Sequence, residues 1–161
     1  MHKFWGNIEE DWAGYTSDIY FSCLFFDNPK VEIFLGDEYD EEGEEIEVPP
    51  TEKQLTAFEE TYKTFIDNIE KHLIDLQSKA FDRYKRIYAK YYEDSEKSGE
   101  PPLNIDSIEK HNDYIKDLLY LRILDDKTII VTIRYKLDTE HGIEFKFVDG
   151  QIDAVGGISE I

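Results

Sequence analysis

The chain is short of cysteine, of basic residues and of long apolar runs, and each shortage closes a route. Cys23 is the single cysteine in 161 residues, so no internal disulfide can form. Its neighbours, Phe21 to Phe26, read as a strand. The thiol is therefore expected as a small buried hydrophobe, with no nearby cation to activate it. No stretch approaches the roughly 18 to 20 apolar residues that span a bilayer, and Met1 to Gly6 holds no apolar run like that of a secretory signal. A cytoplasmic location is the expectation. Eighteen Lys and Arg stand against thirty-seven Asp and Glu, a net charge of −19. Such a field repels phosphate backbones and anionic headgroups, which argues against nucleic acid and membrane; a basic protein is the partner it favours. There is also no phosphate loop, nucleophile elbow or dinucleotide fingerprint. His2, His72 and His111 are scattered, so no imidazole pair stands at metal-ligand spacing and no cofactor or metal is expected.

What is present is a foldable core. Hydrophobic residues make up 40% and aromatics 14% of the chain, too many for an acidic disordered segment and enough for one domain over residues 1–161. Trp5, Gly6, Trp12 and Gly14 predict tight turns or a short strand closing onto that core. Asp18 to Phe26 reads as a strand, Asn28-Pro29 as a turn and Val31 to Gly36 as the second arm of an N-terminal hairpin, both arms joining one sheet.

Asp37 to Glu47 follows, an acidic loop with carboxylates at Asp37, Glu38, Asp40, Glu41, Glu42, Glu44, Glu45 and Glu47 around Gly43. The register of a calcium loop fails, because with Gly43 in the glycine place the closing glutamate position falls on Pro49. A docking loop for a basic partner and a solvated turn remain. Mutual repulsion predicts a loop that is mobile without a cation or partner.

Thr51 and Gln54 form a reciprocal capping box after Pro49-Pro50. From there Leu55, Phe58, Tyr62, Phe65, Ile66, Ile69, Leu73, Leu76, Ala80, Tyr84, Ile87, Tyr88 and Tyr91 make one apolar stripe. Acid precedes base at four-residue spacing in Glu59–Lys63, Asp67–Lys71, Asp75–Lys79 and Asp82–Arg86. A straight helix from Glu52 to Glu93 would run about 60 Å, against about 40 Å for a compact chain of this size. The helix must bend or break, and Asp75 to Lys79 is the weakest local stretch. Glu93 to Pro102 reads as a loop, and Asn104 or Asp106 as the cap of a short helix containing Ile108.

The last third, Leu118 to Gly157, alternates like a half-buried antiparallel meander. Leu119, Leu121 and Ile123 form one inward set, Ile129, Val131, Ile133 and Tyr135 the next, Ile143, Phe145 and Phe147 a third. Asp149-Gly150 is the two-residue turn that tolerates positive φ, and Asp125-Asp126 a weaker one. The fold expected is α+β: an antiparallel sheet with an N-terminal hairpin and C-terminal meander, packed against a long bent or broken helix. Between two of the strands lies Asp138-Thr139-Glu140-His141-Gly142. Glu140 and His141 could serve acid/base work or ligate a metal if Gly142 turns the backbone; the alternative is that Asp138, Glu140, His141 and Gly142 are structural, hydrogen-bonding the turn.

That turn, with the strand after it, Asp149-Gly150 and Val155-Gly156, resembles an uncharacterised bacterial domain family of unknown function. Val31-Glu32-Ile33-Phe34, the acidic loop and the Thr51-Glu52-Lys53-Gln54 helix start share the resemblance. Some members of that family occur among immunity-type proteins of bacterial toxin systems. The family pattern has Trp just before the Asp-x-Glu-His-Gly turn, where this chain has Lys136-Leu137, and no catalytic residue is carried over. The resemblance implies a soluble acidic binding protein that neutralises a basic protein such as a toxin. The competing expectations are an enzyme centred on Glu140 and His141 and a structural or oligomerising domain.

Overall fold

The computed structural model describes residues 1–161 as a five-stranded mixed sheet with helices on one face and a small hairpin on the other. The hairpin comes first in the chain, β1 (Glu9–Asp11) and β2 (Gly14–Thr16), paired antiparallel. β3 (Glu32–Leu35) enters the main sheet, and α1 (Glu52–Asp67) and α2 (Ile69–Arg83) follow. A π-helical turn (Tyr84–Tyr88), α3 (Ala89–Tyr92), α4 (Ser95–Ser98) and α5 (Ile108–Asn112) lead to the meander. The meander is β4 (Leu118–Leu124), β5 (Thr128–Ile133), β6 (Ile143–Val148) and β7 (Gln151–Gly156). The sheet order is β3-β4-β5-β6-β7. The meander pairs are all antiparallel, and β3 joins its edge parallel to β4, because the helices between them form the crossover such a pair requires.

The N-terminal hairpin is not the one the sequence suggested. Residues 18–26 form no strand; a single bridge, Phe21 to Val31, is all that pairs them. The hairpin lies instead at residues 9–16. Phe21 and Phe26 still bury into the core, and Cys23 packs half-buried beside them.

The core lies between the sheet and the helices. Ile33, Leu121, Ile123, Ile129, Val131, Phe145 and Phe147 from the sheet meet Leu55, Phe58, Tyr62, Phe65, Leu76 and Ala80 from α1 and α2. Each Leu, Ile, Val or Phe among them contributes about 1.5–3 kcal/mol by leaving water. Leu118 takes the inward place that alternation assigns to Leu119, because a bulge shifts the register between Leu118 and Tyr120. Trp5 closes the N-terminal end, its indole N–H donating to the Leu55 carbonyl at 2.9 Å.

The capping box is present: the Gln54 amide donates to Thr51 Oγ1 at 3.2 Å, and the Thr51 amide to Gln54 Oε1 at 2.9 Å. The helix does not break at Asp75 to Lys79, which is continuous helix. It breaks at Asn68, whose side-chain N–H donates to the Thr64 carbonyl and so competes with the backbone for the helix's own acceptor. It bends again at Tyr84–Tyr88, where the wider π turn rotates the stripe. Tyr84 is buried and Tyr88 half-buried as a result, while Ile87 and Tyr91 face water. Of the four expected ion pairs only Glu59–Lys63 forms; Lys71 turns to Asp75 and Lys85 to Asp82. The cap of α5 is Ser107, accepting from the Lys110 amide at 3.2 Å, one residue beyond Asp106. The turn Asp149-Gly150 has φ of 49° and 81°, as its composition required.

Candidate functional site

The acidic loop is tied into a small hairpin rather than left to self-repulsion. The Asp40 amide donates to the Glu44 carbonyl at 2.8 Å and the Ile46 amide to the Glu38 carbonyl at 3.0 Å. The Asp40 carboxylate accepts from the amides of Glu42 and Glu44, both at 2.9 Å, so it is turned inward to hold the bend. Gly43 at φ +81° completes the reversal. Asp37, Glu41, Glu42, Glu44, Glu45 and Glu47 are exposed, Glu38 is half-buried, and the Tyr39 ring stands exposed among them.

Sheet alternation sends Glu32, Phe34, Tyr120, Arg122, Thr132 and Glu144 to the face opposite the helices, and β1 and β2 sit on that face. Arg122 fastens the two parts together. Its guanidinium donates to the Ala13 carbonyl at the hairpin tip, 2.7 Å, and to the Gly36 carbonyl just before the acidic loop, 2.8 Å. Its plane lies 4.9 Å from the Phe34 ring. Burial lowers the Arg122 pKa, with Tyr120, Glu38 and Asp37 opposing that effect. The Tyr15 phenol is pushed up by desolvation and then by Glu10, Glu47 and Glu45, which places hairpin and loop in one negative field.

Trp12 crowns this face. Its ring packs edge-on against Phe34 and Tyr120, at 5.4 and 5.5 Å, and its indole N–H donates to Glu32 at 3.2 Å. It is nevertheless 66% exposed. Beneath it Glu32 is raised by burial and by Asp11, while Asp11 is lowered by Glu32 and by the Trp12 amide that donates to it at 2.7 Å. The sequence placed both tryptophans in tight turns or a short strand closing onto the core. Trp5 is core; Trp12, set at a hairpin tip between Asp11 and Ala13, is not.

The Asp138 to Gly142 turn is held from within. His141 Nδ1 lies 2.9 Å from Asp138 Oδ1, and the His141 amide donates to the same oxygen at 3.2 Å. The Tyr88 hydroxyl donates to Asp138 Oδ2 at 2.8 Å, so the π turn is latched to this loop. Burial raises the Asp138 pKa, and the hydrogen bonds from Tyr88 and His141 outweigh it, for a net lowering. Asp138 in return raises His141. Glu140 is exposed and contributes none of these bonds; Asp138, not Glu140, is the imidazole's partner. Gly142 has φ +62°, and a Cβ there would meet the Ile133 carbonyl and the Ile158 side chain. No three or more His, Cys, Asp or Glu side chains are placed so that they could hold a metal ion.

A second buried polar network surrounds His111, which sequence reading saw only as a scattered histidine. His111 Nε2 lies 2.7 Å from the Tyr135 hydroxyl, within rings of Phe81, Tyr84 and Tyr114. The Tyr84 hydroxyl donates to Glu93, which also accepts from the amides of Asn104 and Ile105 at 2.7 and 3.0 Å. This network fixes the turn of chain after the π segment.

The elements define an α+β domain whose sheet carries helices on one face and an acidic, tryptophan-bearing hairpin-and-loop surface on the other. The chain belongs to the family described as a domain of unknown function, DUF6985, whose model matches residues 4–161. No curated protein and no solved structure matches it. No helix is long and apolar enough to cross a membrane.

Proposed function

We propose that the protein is an acidic binding module that engages a basic protein through the Asp37 to Glu47 loop and the Trp12 hairpin tip. The observation that carries this reading is the fastening of both segments by one residue, Arg122, which presents exposed carboxylates beside an exposed indole on a fixed support. Charge of one sign steers a basic partner in, and a rigid aromatic supplies the anchoring contact area. An immunity-type role, neutralising a basic toxin, is the finer form of this proposal and rests on the resemblance of the sequence motifs. The Asp138–His141 pair supports an acid/base reading less well, because its bonds run to Tyr88 and the turn itself.

The test uses the partner recovered by affinity capture on the immobilised protein. Association is timed at rising salt for the wild type and for a variant with Glu41, Glu42, Glu44 and Glu45 changed to Gln. The proposal expects an on-rate that falls by tenfold or more, on the order of a steered encounter, as salt screens the face, and a slower on-rate with a shallower salt dependence in the variant. Equal on-rates in the two proteins at low salt would sink it.

A further inference from the structure

A second site lies on the helix side of the sheet, apart from the acidic face. A cleft of about 810 Å³ opens between the α1–α2 junction and the β4–β5 and β6–β7 turns. That volume is within the range of pockets that hold small organic ligands. Phe65, Phe147 and His72 line its apolar wall. His72 is stacked on Phe65 at 4.7 Å, set edge-on to Phe147 at 5.2 Å, and only 3% exposed. Its Nδ1 is buried with no hydrogen-bond partner. Arg83 Nε, His111 Nδ1 and Asn112 Oδ1 are buried without a partner in the same way.

The charges around this wall are sorted. The helix side brings Lys63 and Lys71 against Glu60, a basic excess in a chain where acids outnumber bases two to one; the turn side brings Asp125, Asp126 and Asp149 against Lys127. Asn68, Thr61 and Thr64 add neutral hydrogen-bonding groups along the helix side. Lys63 pairs with the half-buried Glu59 and lies 4.8 Å from the centroid of the Phe4 ring, while Lys71 pairs with Asp75 at 3.2 Å and Lys127 with Asp149 at 3.9 Å. The Lys71 and Lys127 pairs are exposed, and pairs of that kind are weak and exchange readily for a better-placed ligand group.

We propose that the cleft binds a short zwitterionic peptide, with its ammonium at Asp125, Asp126 and Asp149, its carboxylate at Lys63 and Lys71, and an apolar side chain against Phe65, Phe147 and His72. A free peptide and the terminus of a larger protein share part of this chemistry; only the free peptide carries both charges.

The experiment titrates the whole protein with Gly-Phe-Gly, with its N-acetyl form and with its C-terminal amide, reading amide chemical shifts. The expected result is saturable shifts around residues 61–72 and 124–151 with the free peptide, and at least tenfold weaker binding for each blocked form. Changing Lys63 and Lys71 to Gln, both exposed positions, should weaken the free peptide tenfold or more and leave the amide form unchanged. Binding of the N-acetyl form as tight as that of the free peptide overturns the proposal in favour of a protein C-terminus. Absence of saturable shifts at millimolar peptide overturns it outright. The acidic-loop Gln variant should bind the peptide as the wild type does, which keeps this test independent of the partner-binding face.

Discussion

His111 is a proton-linked weak point whose size follows from its surroundings. The ring is fully buried among Phe81, Tyr84, Tyr114 and Tyr135, with Nε2 on the Tyr135 hydroxyl and Nδ1 without a partner. Burial pushes its pKa down to about 4. The unfolded chain takes up the same proton near pH 6.5. Between those values the unfolded state binds more protons than the folded one, so stability falls as pH falls through this window and levels off below it. From pH 7.5 to 5.5, above the range of the carboxylates, the His111 share of the loss is about 1 kcal/mol. The perturbation is His111→Phe combined with Tyr135→Phe, which keeps the rings and removes both the proton site and its partner. The assay is urea unfolding at the two pH values. His72, also lowered by desolvation and Lys71, and His141, raised by Asp138, titrate in both proteins and cancel in the comparison. The wild type should lose about 1 kcal/mol more than the double variant on acidification. Equal losses in the two proteins would refute the buried, neutral His111.

Arg122→Met should cost about 2–3 kcal/mol, because two charge-assisted bonds are lost and two carbonyls lose their donor; amide exchange should rise across residues 9–16 while β5 and β6 stay protected. Arg122→Lys should not restore it, since a single ammonium lacks the fork that reaches Ala13 and Gly36 together. Gly142→Ala should lower the thermal midpoint by several degrees, as φ +62° and the Ile133 carbonyl leave a methyl no unstrained place. Thr51→Ala should cost about 1 kcal/mol in chemical denaturation through loss of the capping box, with the packing behind it unchanged.

The parts of the fold that were legible in the sequence are those governed by local rules. The meander strands follow from period-two alternation, the Asp149-Gly150 turn from its tolerance of positive φ, and the α1 start from Thr51 and Gln54. The parts that were not are decided by distant contacts. Residues 18–26 have strand composition, yet only Phe21 forms a strand-type bridge, to Val31; Asp18 and Phe26 bond instead to the Trp5 and Cys23 carbonyls. The helix break lies at Asn68 and not within Asp75 to Lys79 because a side chain that competes for a carbonyl disrupts a helix more than a polar residue on its surface. The candidate face was half visible. The carboxylates of residues 37–47 stand out in any composition scan, but Trp12 and Arg122 join them only through the fold, and nothing in a strand pattern assigns Arg122 to two carbonyls. His72 was hidden for a related reason: it lies beside Leu73 on a helix already explained by its apolar stripe.

The acidic face is tested most directly by comparing three immobilised baits against one lysate at low salt: the wild type, Trp12→Ala, and the variant with Glu41, Glu42, Glu44 and Glu45 changed to Gln. The account predicts a basic protein retained by the wild type, lost from Trp12→Ala through faster dissociation and from the Gln variant through slower association, with all three baits equally folded. The same proteins held equally by all three baits would contradict it.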